Sequence, residues 1–197
     1  MTNTFKTIGW RSVAMATALA LLIMVTGCAK PKGETGDEKR AYIQNMSAET
    51  KARLDETNPG VVKELQGAAG WAVFESVQTQ FIITTTGNGF GLAHNNKTGK
   101  EYYMSALDLG AGIGLGIKSS KAIMVFETEE VLNKFVTSGW SWGAQGSATA
   151  KAVSVEGDAV GDHNFVDGIK VYIMTENGLM AGVSLKGSKV WLDKKLN

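Results

Sequence analysis

Between Gly110 and Ile117 the chain reads GAGIGLGI: glycine stands at every second position four times running, with Ala111, Ile113, Leu115 and Ile117 in the gaps. In an extended strand a period of two sends all four glycines to one face and the apolar side chains to the other. A strand interior that carries glycine gives up roughly 0.5–1 kcal/mol per residue relative to alanine, so close approach of another group is the reason to place it there. The spacing excludes a glycine-rich loop that cradles a nucleotide's phosphates. A dinucleotide fingerprint needs a final gap of three that turns the chain onto a helix, and a P-loop needs a GK[ST] ending; here every gap is two and no such ending occurs.

Gly87, Gly89 and Gly91 repeat the pattern, and the even positions from Trp142 to Ser154 are nearly as small. Several lean faces in one sheet imply a strongly curled sheet with something pressed against it. The protein's own helices are the ordinary occupant, and a bound acyl chain is the alternative. From Gly70 onward the period is two, predicting strands at 71–77, 81–86, 90–94, 101–109, 111–118 and 122–126. Turns are expected at Asn95–Gly99 and Lys118–Lys121. A bent strand over 142–155 follows, and then a closing meander: 169–175, a turn at Glu176-Asn177-Gly178, 179–186, a turn at Gly187-Ser188, and 189–192.

Helices are expected at the start and at one insertion. Residues 38–57 lack Gly and Pro and align Ile43, Met46, Thr50 and Leu54 on one stripe. Asn58-Pro59 caps and opens a short second helix carrying Val61, Val62 and Leu65. At 128–138, Thr128 caps, Glu129 and Glu130 suit the positive end of the dipole, and Val131, Leu132, Phe135 and Val136 share a face up to Gly139. The expected fold class is therefore α+β: a mostly antiparallel, strongly curled sheet or partial β-barrel with N-terminal helices and one inserted helix.

Ahead of this domain lies a leader. Lys6 and Arg11 precede an apolar run from Val13 to Val25, too short for the ~18 apolar residues that a spanning helix needs. The run ends in Val25-Thr26-Gly27-Cys28, which resembles the lipobox of bacterial lipoproteins. That resemblance implies cleavage before Cys28, a thioether-linked diacylglycerol on its sulfur and an acyl chain such as palmitate on its amine. Ala29, where an inner-membrane protein of this kind would carry Asp, points to the outer membrane, with the domain facing the periplasm. Residues 29–37 are small, charged and turn-forming and read as a flexible tether, so the expected organisation is a signal peptide over 1–27, a tether over 28–37 and one domain over 38–197. Cys28 is the only cysteine, so no disulfide supports the fold.

The residues from Gly70 to Phe74, a Gly89-Phe90-Gly91 turn, Leu109–Gly116, Ala122–Phe126, Leu132–Gly143 and the glycine-led stretch Gly178–Ser188 resemble, in order and spacing, the SYLF domain in its bacterial envelope branch. The likeness covers about residues 58–193. It implies phospholipid as a partner, with an amphipathic segment at the start of the domain in contact with lipid. Here that segment is 38–66, where Lys39, Arg40, Lys51, Arg53 and Lys63 are the candidate phosphate contacts and Gly110, Gly112, Gly114 and Gly116 the candidate acyl-chain face. The tryptophan-serine-proline motif of the eukaryotic domain is replaced by Glu101-Tyr102-Tyr103-Met104, so phosphoinositide selectivity does not carry over. The actin association of eukaryotic members does not fit a bacterial envelope.

Charge and chemistry narrow the function further. Of 20 Lys and Arg, two precede Cys28, leaving 18 against 19 Asp and Glu, so no broad basic field is expected to attract nucleic acid. His94 and His163 are the only histidines, a thin inventory for an enzyme, and the acidic loop 156–167 lacks the ligand spacing of an EF-hand. A transmembrane barrel is disfavoured, because segments such as Trp71–Phe74 and Ile123–Phe126 are apolar on both faces. The expectation is a non-catalytic, cofactor-free and metal-free lipoprotein that binds phospholipid. The alternative is a structural protein whose partner is another envelope protein.

Overall fold

A computed structural model of the chain describes residues 29–142, 167–175, 178–181 and 187–197. The leader with Cys28, most of the expected 142–155 strand, His163 and the acidic loop up to 166 lie outside the described residues. The elements in chain order are helices α1 (Gly36–Thr57) and α2 (Pro59–Gly67), strands β1 (Gly70–Asn95) and β2 (Glu101–Phe126), and helix α3 (Glu129–Ser138). Strands β3 (Trp140–Trp142), β4 (Ile169–Thr175), β5 (Gly178–Ala181) and β6 (Gly187–Leu192) follow. All pairings are antiparallel, in the order β3-β6-β2-β4-β5, with β1 also paired to β2. This is the expected α+β architecture with a strongly curled, half-barrel sheet.

The centre of the fold is the β1–β2 hairpin, whose turn forms as its residues dictate. The Asn95 side chain accepts from the backbone N–H of Lys97 and Thr98 at 3.0 and 2.9 Å, and Gly99 takes the left-handed φ of +69° that closes the loop. Each strand has 26 residues. Straight, such a strand would run ~86 Å at about 3.3 Å per residue, so it must bend. A bulge between Ile82 and Thr84 supplies an irregular step, and Asn96 N–H reaches Ala69 O at 3.1 Å, so the two ends of β1 meet.

Several expectations are corrected here. The separate strands at 71–77, 81–86 and 90–94 are one continuous β1, and Gly89-Phe90-Gly91 lies in it as strand, not turn. Lys118–Lys121 is not a turn: these residues pair with Gln78, Val77, Ser76 and Glu75, and ladder bonds satisfy the backbone that a turn would have bent. Gly187-Ser188 likewise belongs to β6, opposite Leu109 and Asp108. The chain does not close as a simple meander, because the free edge of β2 is shared: β6 takes residues 104–109 and β4 takes 121–126, which separates β6 from β5. The stretch read as a tether is partly ordered against the domain. Gly36 and Asp37 already belong to α1, Thr35 caps that helix in a reciprocal box with Glu38, and Ala29 bonds to Asn88.

The sheet carries a core on each face. On one, Ile43, Met46 and Leu54 of α1 and Val61 and Leu65 of α2 pack on Trp71, Val73, Phe90, Leu92, Tyr103, Ile123 and Val125. On the other, Leu132, Phe135 and Val136 of α3 pack on Phe74, Met104, Met124, Phe126 and Val190. Alternate residues along each strand thus serve opposite cores, as the doubly apolar runs require. The α1–α2 roof does not reach the whole of its face: in the continuing rows Leu107, Leu109 and Trp191 are 39%, 53% and 39% exposed.

Candidate functional site

The cations of α1 divide between the sheet and solvent. Arg40, Gln44 and Lys51 fall on one flank of the helix beside its buried stripe; Gln44 and Lys51 reach the sheet, and Arg40 reaches the C-terminal turn. Arg40 pairs with Asp37 and donates from Nη1 to Leu196 O at 3.2 Å. Gln44 Nε2 donates to Glu101 Oε2 at 2.7 Å, and Tyr103 OH donates to the same oxygen at 3.3 Å. The Lys51 ammonium sits 4.1 Å from the centroid of the Trp71 ring, which stacks on His94 with centroids 4.9 Å apart and planes 19° from parallel. Lys39 is half-buried, whereas Arg53 and Lys63 are exposed. The five cations therefore form no single cluster.

The Lys51–Trp71–His94 stack is electrostatically tuned. Burial pushes the Lys51 ammonium down from its ordinary range, with Glu101 opposing. Burial also lowers His94, with Glu101 raising it and Lys51 lowering it further. Nδ1 of His94 is buried without a hydrogen-bond partner, which favours the neutral ring beside a cation already placed over Trp71. The Tyr103 hydroxyl is raised by burial first and by Glu101 second. Together these contacts clamp α1 to the hairpin.

A second clamp holds α2. Lys170 Nζ lies 2.9 and 3.1 Å from the two carboxylate oxygens of Glu64, and Tyr172 OH donates to Glu64 at 2.5 Å. Burial, then the Glu64 bond, pushes the Tyr172 hydroxyl up to about 12. Sequence reasoning missed this triad. Its members are 106 and 108 residues apart, and nothing local in either segment announces the other.

The glycine faces are only partly described. A Cβ on Gly87 would stand 2.7 Å from Gln78 Cγ and 2.8 Å from Val77 O, one on Gly89 would meet Glu75 O at 2.5 Å, and one on Gly91 would strike Val73 O and the Phe74 ring. These glycines therefore admit the first half of their own strand, not a helix. The expectation of close approach holds there, but its occupant differs. Gly116 has φ +147° and nothing within 4 Å of where a Cβ would stand, so it faces open space. Gly110 and Gly114 pair with Thr85 and Ile82, and Gly112 falls in the irregular step between them; what faces these three lies outside the described residues. Cys28 also lies outside them, but its neighbour is fixed: Ala29 N–H donates to Asn88 Oδ1 at 3.3 Å, and Asn88 Nδ2 donates to Ala29 O at 3.0 Å. Among the described residues no three His, Cys, Asp or Glu side chains converge as a metal site, and no helix is long and apolar enough to cross a membrane.

Comparison with known proteins places this architecture. Residues 107–197 match the family model Ysc84, described as Las17-binding protein actin regulator. The chain is also 32% identical over 163 residues to Beta cell expansion factor A of Aeromonas veronii, an alignment covering 83% of this chain and 60% of that protein. The chain thus spans less than two thirds of that relative's length. The matched region begins within β2 and takes in α3 and every later strand, and the relative extends the likeness well beyond it, so the chain belongs to the Ysc84, or SYLF, domain family.

Proposed function

We propose that this protein is a non-catalytic envelope lipoprotein: acylation at Cys28 holds it on the bacterial outer membrane, and its SYLF domain binds phospholipid from the periplasmic side. The observation that carries the reading is the lipobox ending at Cys28, followed at once by a residue bonded to the sheet through both its N–H and its carbonyl. An acylated cysteine there would hold the domain against the bilayer instead of at the end of a long leash. Several buried acyl chains, at about 0.8 kcal/mol per methylene, suffice for stable attachment. The actin-regulator description belongs to the family model and is not part of this proposal.

Of the sequence-derived lipid contacts, Arg53 and Lys63 are the exposed cations and remain the better phosphate partners on the helical roof. Arg40 is already engaged with Asp37 and the Leu196 carbonyl, and Lys51 with the Trp71 ring. Flotation of a Cys28→Ala protein lacking residues 1–27 with vesicles tests the domain's own affinity. Binding to vesicles containing phosphatidylglycerol, weakening as salt rises from about 50 to about 500 mM, is the expected result on screening grounds. Absence of binding to every lipid mixture would leave the domain as an interaction module for another envelope protein.

A further inference from the structure

We infer that the unroofed end of the helix-side sheet face, carrying Leu107, Leu109 and Trp191, is the surface that lies on the anionic phospholipid bilayer. The inference rests on the lipoprotein reading above and names the face that reading leaves open. Cross-strand register defines the surface. Phe90, Ser105 and Trp191 form one row across β1, β2 and β6; Asn88, Leu107, Lys189 and Ser141 form the next; Thr86, Leu109 and Gly187 form the third. Directly opposed residues project to the same side, so Leu107, Leu109 and Trp191 share the face that carries Phe90 and Tyr103 farther in. Tyr42 of α1 still reaches Phe90, with ring centroids 5.7 Å apart. Beyond that row no helix among the described residues covers the apolar face, and Leu107, Leu109 and Trp191 stand exposed on it.

Two independent features say what covers it. The first is where the chain leads. Ala29 is bonded to the Asn88 side chain, and Asn88 stands directly across from Leu107, so acyl chains on the residue that precedes Ala29 would start within reach of this surface. The second is charge. Lys189 sits in the same row as Leu107, and Lys30 and Lys32 follow the anchor; all three are exposed. Asp193, two residues beyond Trp191, accepts from Ser105 Oγ and Lys195 N–H. Leucine and tryptophan bordered by lysine match the boundary between acyl chains and anionic headgroups. A membrane in contact with this rim also explains why the roof stops at Phe90.

The test uses the full chain, exported and acylated in bacteria, with Leu109→Cys labelled by an environment-sensitive nitrobenzoxadiazole dye; Thr98→Cys, exposed in the turn at the other end of the hairpin, is the control. Acylation occupies Cys28, so only the new thiol reacts. After reconstitution into phosphatidylcholine vesicles containing phosphatidylglycerol, the label at position 109 should gain intensity at least threefold, shift to the blue and be quenched by spin-labelled lipid, while that at 98 stays water-like. Leu107→Cys repeats the measurement should the first variant fold poorly. Vesicle-bound protein with a water-like label at 109 would overturn the inference and leave the anchor standing. Protein without acyl chains that never associates with vesicles would overturn both. A blue shift that appears without lipid and grows with protein concentration would assign the face to a second copy of the chain and reject the membrane.

Discussion

One sheet face has two fates along its length. Where it carries Trp71, Phe90, Leu92 and Tyr103 it lies under α1 and α2, and these side chains are at most 7% exposed; two and three rows beyond Tyr103, Leu107 and Leu109 are 39% and 53% exposed. The alternation is the same in both regions. What changes is the partner: the roof is built by a helix whose stripe is Ile43, Met46, Thr50 and Leu54 and whose flank is clamped by Glu101 and the Trp71 ring. Strand periodicity thus specifies that a face is apolar, and only a second element decides whether it becomes core or surface.

The largest effects should come from the roofed end. Leu54→Ala removes a side chain with no exposed surface and should cost about 2–5 kcal/mol, read from urea midpoints, whereas Leu109→Ala should stay within about 0.5 kcal/mol of the wild type. Equal losses at both sites would erase the distinction. Next, Gly91→Ala drives a methyl into Val73 O and the Phe74 ring and should destabilise by roughly 1–3 kcal/mol, as overpacking does. A neutral Gly91→Ala would mean that the halves of β1 are not pressed together.

The helix clamp adds a pH dependence. The folded protein holds His94 below its ordinary value, so the unfolded chain binds the proton more readily. Its contribution is therefore complete above the unfolded value near 6.5 and is lost as pH falls through the folded one. Denaturation midpoints should drop with acidification through that window, and His94→Gln should flatten this part of the profile; an unchanged profile would remove His94 from the account. The smallest effect belongs to the surface pair Lys97–Glu129 at 3.2 Å, where Lys97→Ala should change stability by about 0–1 kcal/mol and less at high salt.

Local signals made much of this architecture readable. The stripe of α1, the Pro59 start of α2, the Thr128 cap and apolar face of α3 and the Asn95–Gly99 turn all form from neighbours in sequence. The errors fall where the partner is distant. Lys118-Ser119-Ser120-Lys121 has turn composition, but the ladder to Glu75–Gln78 holds it extended. Gly87, Gly89 and Gly91 announce a close approach without naming its source, which is an earlier part of the same strand. For Lys39, Arg40, Lys51, Arg53 and Lys63, offered as phosphate contacts, sequence alone does not tell that Arg40 bonds to the Leu196 carbonyl and Lys51 sits over the Trp71 ring. The Glu64–Lys170–Tyr172 triad depends on tertiary pairing alone.

The central claim is that fats on Cys28 hold this domain at the outer membrane, and metabolic labelling with palmitate followed by membrane fractionation tests it most directly. The account predicts that wild-type protein carries the label and sediments with the outer membrane, while Cys28→Ala protein is unlabelled and leaves that fraction. Wild-type protein without label, or a Cys28→Ala variant that stays labelled and membrane-bound, would contradict it.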